Sequence, residues 1–435
     1  MLTLQENTML GEIPNGWKSK SLAEVLTEHY PGDWGKEHGL HMVNVLRSTN
    51  LTGEGGLDVT DVAIRGLSPR KANMLTPKQG DILLERSGGG PNQPVGRVGL
   101  VKDDMPGYAL SNFLHLLRPD GDKVNPRFLG WVLYRINQTG RIVRLEQQTT
   151  QMRNLNFRDY ITMPIPYPSL KEQAAIARIL DAVDTAIEHA RIATKRARQL
   201  DHCLLHELLE RGLGSANCSR RRFPQHWRMT RVDEVATVGS GVTLGKDTSG
   251  HKSVELPYLR VANVQDGYLD LDTIKTIRVP VDDVQKYRLE AGDVLMTEGG
   301  DIDKLGRGTI WDGQIPDCLH QNHIFRIRAN REVLEPSFYA IVVESDIAKR
   351  YFSRVAKRTT NLASTNKTQV RAFRFPIPPT LSEQRQIVEI VARSKSLLAG
   401  LSQKETALCE LKKSLMHDLL TGKVRVHDAS KAGTS

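Results

Sequence analysis

Pro164-Ile165-Pro166-Tyr167-Pro168-Ser169-Leu170-Lys171-Glu172-Gln173 returns as Pro376-Ile377-Pro378-Pro379-Thr380-Leu381-Ser382-Glu383-Gln384, and each occurrence opens a long helix-forming stretch. From Leu170 to Glu210 there is no Pro or Gly, a span of about 60 Å if wholly helical. Its apolar or small positions are Ile176, Leu180, Val183, Ile187, Ala190, Thr194 and Ala197. Their alternating steps of four and three are the spacing of a coiled-coil seam, not of a broad globular face. The second stretch repeats it with Ile387, Val391, Ser394, Leu398, Leu401, Glu405 and Leu408, continuing through Leu411, Leu415 and Leu419. Ser169 and Glu172 are placed for a capping box, and Ser382 is the expected cap of the second helix, after the helix-stopping Pro378-Pro379. Gly400 weakens the second helix by up to about 1 kcal/mol relative to Ala.

Outward from these helices the whole chain repeats, at an offset of about 210 residues. Ile13-Pro14-Asn15-Gly16-Trp17 matches Phe223-Pro224-Gln225-His226-Trp227, and Gly80-Asp81-Ile82-Leu83 matches Gly292-Asp293-Val294-Leu295. Gly96-Arg97 and Asn112 match Gly306-Arg307 and Asn322, and His206-Glu207-Leu208-Leu209 matches His417-Asp418-Leu419-Leu420. The spacing predicts a first globule over 1–168, a long helix over 169–212, a breaker-rich linker over 213–221, a second globule over 222–380 and a second helix over 381–422. The tail 423–435 is expected to be disordered. Within each globule, runs such as His323-Ile324-Phe325-Arg326-Ile327-Arg328 alternate as half-buried strands do. Pro126 to Arg144 and Pro336 to Arg354 read as helices with Pro in the first turn. The expected fold is α+β: two tandem-repeated α+β domains separated by two long helices that form an antiparallel coiled coil, with pseudo-twofold symmetry. Packing of each helix on its own globule, or on other chains, is the alternative that periodicity leaves open.

The composition narrows the class of function. A chain of 435 residues makes two or three domains with cores of their own. A net charge of +10 and a pI near 9.4 favour polyanions as partners. The longest notable apolar run, Ala340-Ile341-Val342-Val343, is far too short for a bilayer. Met1 to Glu6 lacks the basic start and apolar stretch of a signal peptide, and Cys203, Cys218, Cys318 and Cys409 show no CxxC spacing. These features point to a cytoplasmic protein with free thiols and no membrane partner.

Catalytic and metal motifs are scarce. There is no Asn-Pro-Pro-aromatic tetrapeptide to hold a target amine, and Asn125-Pro126-Arg127 reads as a helix start. Gly245-Lys246 and Gly422-Lys423 lack the loop and hydroxyl residue of a phosphate cradle. Glu410-Leu411-Lys412, which could be half of a nuclease carboxylate–lysine pair, lies on the second long helix instead of a strand. His202, Cys203 and His206, and Cys318, His320 and His323, have ligand-like spacing. The counterparts of the second group include Leu110 and Phe113, so neither zinc nor any other metal is expected and satisfied histidines are the favoured reading. We expect neither an enzyme nor a cofactor on this chain.

Taken in order, the Pro-Ile-Pro, Glu-Gln and long-helix elements of Pro164 to Gly212 and Pro376 to Gly422, with the Pro-x-x-Trp openings and Gly-Asp strand entries, resemble the DNA-specificity subunits of type I restriction-modification systems. The resemblance covers almost the whole chain. It implies that each globule is a target-recognition domain reading one half of a bipartite DNA site. The helices would be spacers that fix the gap and dock two methyltransferase subunits, which flip and N6-methylate an adenine in each half. Endonuclease/translocase subunits would join for cleavage, and S-adenosylmethionine, ATP and Mg2+ would belong to the partners. The competing classes are a duplicated protein-binding scaffold without DNA specificity and an enzyme with an unrecognised active site.

The polar loops supply the DNA-binding candidates: Arg86, Arg97, Gln148, Thr149, Gln151, Arg153 and Asn154 in the first copy, and Arg307, Lys357, Arg358, Thr360, Asn361, Asn366 and Lys367 in the second. Arg pairs with guanine and Gln or Asn with adenine, while basic groups in general meet phosphates. Arg97 and Arg307 are the favoured phosphate contacts because their charge persists in both copies. Glycines at 88–90 and 299–300 either make turns or admit a DNA backbone. Arg191, Lys195, Arg196 and Arg198, with Arg220 to Arg222, form either a solvated face or one that meets phosphates or a partner. The two-part address is expected where the copies diverge.

Overall fold

In the computed structural model of the chain, the residues described are 7–90, 93–148, 152–213, 223–243, 245, 252–301, 305–358 and 362–426. They form two compact units, one of residues 1–191 with 403–435 and the other of residues 192–402. The first long helix runs Leu170–Arg211 and the second Leu381–Leu420, so each helix gives one half to each unit.

In the first unit an antiparallel sheet orders its strands Leu26–Pro31, Leu114–Pro119, Ile82–Glu85 and Val98–Leu100. A second sheet pairs Met42–Leu46 in parallel with Tyr108–Leu110 and antiparallel with Ala63–Gly66. A third joins Glu146–Gln148, Arg153–Leu155 and Ser87–Gly89, and Pro164–Tyr167 pairs with Lys18–Ser21. The helix Pro126–Gln138 has Pro at its first turn, and the Asn125 side chain accepts from the Phe128 N–H at 3.0 Å. Its Phe128, Val132 and Ile136 share one core with Leu84, with Ile176 and Leu180 of the first long helix, and with Met416, Leu419 and Leu420 of the second.

The second unit repeats this plan. Its main sheet is Ala236–Ser240, Ile324–Ala329, Asp293–Thr297 and Gly308–Trp311, flanked by a sheet of Lys275–Pro280, Ser253–Leu259 and Leu319–His320. The third sheet is Gly299–Asp301, Leu362–Ser364 and Lys357–Arg358, and Arg228–Arg231 pairs with Arg374–Ile377. Leu208 and Leu209 of the first long helix and Ile387 and Val391 of the second enter its core. One expectation fails in each copy. The stretch from Pro336 breaks into Pro336–Glu344 and Asp346–Val355 because Ser345 is extended, its Oγ donating to the Val342 carbonyl at 2.6 Å. The first copy leaves its helix at Gly140, in the left-handed region at φ 70°, and continues as a 3-10 turn.

The two long helices contact each other within the first unit and run antiparallel there: Asp184 takes Lys412 at 2.6 Å, and seven residues on Arg191 takes Glu405 at 3.2 Å. Ile176, Leu180, Ile187, Ile387 and Val391 are buried, and Val183, Leu398, Leu401, Leu408 and Leu415 are partly buried. Leu411 departs from the expected seam and is 46% exposed. Lys412 and Met416 turn inward instead. The Lys412 ammonium reaches Asp184 and lies over the Trp131 and Tyr134 rings at 4.8 and 5.4 Å, so this lysine is an interior helix contact and not half of a nuclease pair.

The caps differ in detail from the sequence reading. Ser169 Oγ accepts from the Glu172 N–H at 3.3 Å, but the Glu172 carboxylate turns away, so only half of the capping box forms. The second helix is capped by Thr380, whose Oγ1 accepts from the Glu383 N–H at 3.2 Å, which leaves Ser382 in the first turn. The start of the expected disordered tail is ordered: Arg425 takes Glu172 at 2.7 and 2.9 Å, and Val426 packs on the core. Residues 427–435, and 214–221 of the linker, lie outside the described residues. Among the described residues no helix is long and apolar enough to cross a membrane.

Candidate nucleic-acid interface

The repeated motifs turn out to be framework. Trp17 donates its indole N–H to Glu172 at 3.2 Å, and Trp227 does the same to Glu383 at 2.9 Å, which ties each Pro-x-x-Trp opening to the start of a long helix. Gly212 and Gly422, both at φ 67°, end the two helices against Trp227 and Trp17 respectively. Buried Gln173 accepts from the Asn125 N–H at 2.8 Å, and buried Gln384 accepts from the Glu335 N–H at 2.8 Å. Asp81 holds Arg118 at 2.9 and 3.0 Å, and Asp293 holds Arg328 at 2.7 Å through two nitrogens. The Gly-Asp strand entries therefore encode a buried carboxylate for the neighbouring strand's arginine.

Arg97, expected at a phosphate, belongs to this framework as well. Its guanidinium spans Glu85 at 2.7 and 2.9 Å and the carbonyls of Ser48 and Leu51. These bonds occupy four of its five N–H donors, so the guanidinium is committed inside the fold. Strand register places Thr297 opposite Ile324 where Glu85 stands opposite Leu114, so the second copy has no carboxylate at that point. Arg307 instead donates to Gln265 at 2.7 Å, and its buried Nε has no partner among the described residues.

The remaining candidates gather around the third sheet of each unit. In the first unit Arg153 pairs with Glu146 at 3.0 Å, Asn154 accepts from Ser87 Oγ at 2.6 Å, and Arg86 lies 5.8 Å over the Phe157 ring. Gln148 is in the edge strand. Thr149, Gln151, Thr360 and Asn361 lie outside the described residues. In the second unit Lys357 and Arg358 are exposed, with Arg358 donating to the Ser353 carbonyl at 2.7 Å. Asn366 caps the helix Lys367–Ala372 by accepting from the Gln369 N–H at 2.9 Å, a structural job. Burial, then Arg371, Arg326 and Lys286, hold the Lys367 ammonium below its ordinary value. Four cations drawn together suit a polyanion.

The copies also differ beside these sheets, at residues the sequence did not single out. His115 stacks on Phe157 with ring centroids 3.8 Å apart and meets His29 Nδ1 at 3.2 Å. Register alignment puts Phe325, Lys367 and Val238 at the corresponding places, so an aromatic stack in one copy is a cation beside apolar side chains in the other. Burial, then the charge of Arg86 and the neighbouring His29, push His115 down to about 3. It is neutral when folded and takes a proton in the unfolded chain below about pH 6.5. The first unit should therefore lose stability as pH falls from about 6.5 toward 3. His115→Phe, the residue at the matching place, should flatten that slope. Urea midpoints at pH 7 and pH 5, read by hydrogen exchange in the first unit, check this; equal slopes would count against it.

The histidines with ligand-like spacing are accounted for. His206 faces Glu210 at 3.3 Å and His202 faces Asp346 at 3.6 Å. His320 is buried with Nδ1 donating to the Tyr287 carbonyl at 3.0 Å, and burial raises the Cys318 thiol to about 12. His323 Nδ1 donates to the Glu298 carboxylate at 2.5 Å. Among the described residues no cluster of three or more His, Cys, Asp or Glu is placed to hold a metal ion.

The framework and its divergent faces have counterparts in known proteins. The family profile of the type I restriction modification DNA specificity domain matches residues 42–194 and 224–407. The chain belongs to that family and carries its domain twice. A putative type I restriction enzyme specificity subunit, MjaX of Methanocaldococcus jannaschii, is 27% identical over 213 residues; the match covers 48% of this chain and 49% of that relative, about half its length. The EcoKI specificity subunit of Escherichia coli strain K12 is 22% identical over 410 residues, covering 89% of this chain and 83% of the relative. Among solved structures, the S subunit of a type I system from M. genitalium superposes with a TM-score of 0.57 at 16% identity, covering 95% of this chain and 99% of that one. A chain from a structure addressing complex assembly and conformational transition of the type I system gives 0.58 at 18% identity, covering 95% and 100%. These likenesses share the fold: tandem α+β domains with a coiled coil.

Proposed function

We propose that this chain is the DNA sequence-recognition subunit of a type I restriction-modification complex, each unit reading one half of a bipartite target. The observation that carries the reading is the division of labour within the repeat. Trp–Glu, buried Gln and Asp–Arg contacts recur in both copies, while the side chains around the third sheet change type and charge. A scaffold binding one protein twice would keep its face and drift in its framework; a reader of two unlike half-sites does the reverse. The cations around Lys367 and the net charge of +10 supply the salt-dependent, sequence-independent part of the affinity.

In this reading the two long helices set the number of base pairs between half-sites and dock two methyltransferase subunits, with endonuclease/translocase subunits joining for cleavage. The chain itself is non-catalytic and cytoplasmic, and S-adenosylmethionine, ATP and Mg2+ belong to its partners. The test is methylome sequencing of host DNA with and without this gene. A bipartite adenine motif should vanish on deletion. A motif that persists, or purified complex that binds scrambled and genomic duplexes equally, would sink the assignment.

A further inference from the structure

Glu298 and Arg86 occupy one backbone position in the two copies. The Arg86 N–H donates to the Phe113 carbonyl at 2.8 Å and its carbonyl accepts from Leu155 N–H at 2.7 Å. The Glu298 N–H donates to the His323 carbonyl at 2.9 Å and its carbonyl accepts from Thr365 N–H at 2.7 Å. An identical scaffold thus presents opposite charges. The Glu298 carboxylate, 30% exposed, and His323, 55% exposed, line an open groove of about 590 Å³ with Gly299, Gly300, Lys357 and Ser364. A Cβ added at Gly300 would meet nothing within 4 Å, so the backbone there is open to close approach.

A carboxylate here has the wrong sign for phosphate. Lys357 and Arg358 are exposed beside it, and the same unit carries the Lys286, Arg326, Lys367 and Arg371 cluster. Arg326 lies flat over Gly239, its guanidinium held by the Lys286 and Arg288 carbonyls and its buried Nε without a partner among the described residues. On a surface that collects phosphates, an ionised carboxylate is repelled unless it meets a hydrogen-bond donor of the ligand. The base-edge donors of the major groove are exocyclic amines, cytosine N4 and adenine N6. A carboxylate offers about four lone-pair sites, and the His323 N–H takes one. We propose that Glu298, oriented by His323, reads an amino-bearing base edge in the half-site bound by the second unit, and that its counterpart Arg86 reads a guanine in the other half.

This inference rests on the DNA-recognition reading above, and one experiment separates the two. The full-length chain, in complex with methyltransferase subunits, selects from a pool of random duplexes. Wild type should recover a bipartite motif with cytosine or adenine at one position of one half, and the letter recovered tells the two amines apart. Glu298→Ala should lose roughly tenfold to a hundredfold of the discrimination at that position alone. Glu298→Arg should shift it toward guanine, and His323→Ala should weaken it. Both side chains stand on the surface, and the untouched half of the motif reports in the same selection that the variants fold. Recovery of the wild-type motif in both halves by Glu298→Ala and His323→Ala would overturn the proposal while leaving the recognition function intact. A wild-type chain that recovers no bipartite motif would overturn both.

Discussion

Gln384→Leu is expected to destabilise the second unit by about 3–9 kcal/mol, a large share of what a domain of this size possesses. The glutamine is 0% exposed. Its Oε1 accepts from the Glu335 N–H at 2.8 Å, and its Nε2 donates to the Val333 and Pro378 carbonyls at 3.1 Å each. Leucine fills nearly the same volume, so the loss is not a cavity. It is three backbone groups left unpaired beside the start of the second long helix, each costing about 1–3 kcal/mol when buried. Gln173→Leu strips only the Asn125 N–H and the Pro168 carbonyl, and should cost the first unit less. Hydrogen exchange resolved by peptide gives the stability of each unit separately. Losses under 1 kcal/mol, or a loss spread evenly over both units, would refute the assignment of these glutamines as helix-to-globule clamps.

Asp293→Ala should cost the second unit about 2–4 kcal/mol by removing the buried partner of Arg328, which keeps only the exposed Glu290 carboxylate at 2.6 Å as counter-charge. The carboxylate is 1% exposed, grips Arg328 with both oxygens and also accepts from the Glu290 N–H at 2.7 Å. Adding Arg328→Met should restore part of the loss, since replacing both partners removes the half-paired charge that replacing one leaves. Denaturant midpoints of the four members of this cycle decide the matter. A double variant no better than Asp293→Ala would mean that the arginine stem, not its charge, is what the sheet requires.

Features that depend on period were legible in the sequence, because period is a local property. Ile176, Leu180, Ile387 and Val391 could be picked out four and three residues at a time. Lys412 could not: beside Glu410 it suggests half of a nuclease pair until Trp131, Tyr134 and Asp184 are seen around it. The caps slipped for a related reason. Glu172 is as well placed for its own helix end as for Trp17, and only the fold chooses. Arg97 shows the limit of reading a repeat. The same residue serves different internal partners in the two copies, Glu85 for Arg97 and Gln265 for Arg307, so persistence alone does not mark a ligand contact. Arg86, by contrast, gains its meaning from Glu298, a comparison visible in the sequence but weightless until strand register aligned the two positions. The stack of His29, His115 and Phe157 joins residues from three distant segments, which no spacing rule connects.

The division of the chain also orders events in time. Residues 192–402 leave the ribosome as one run, so the second unit can close as soon as it emerges. The first unit begins earlier but needs Met416, Leu419 and Leu420 from the far end of the message. At roughly 5–20 residues per second, it waits about 10–40 s between the synthesis of Arg191 and that of Gln403. Over that interval Ile176 and Leu180 can meet Phe128 and Val132, but the core still lacks the Met416, Leu419 and Leu420 side chains that complete it. The half that is translated first is the half that matures last.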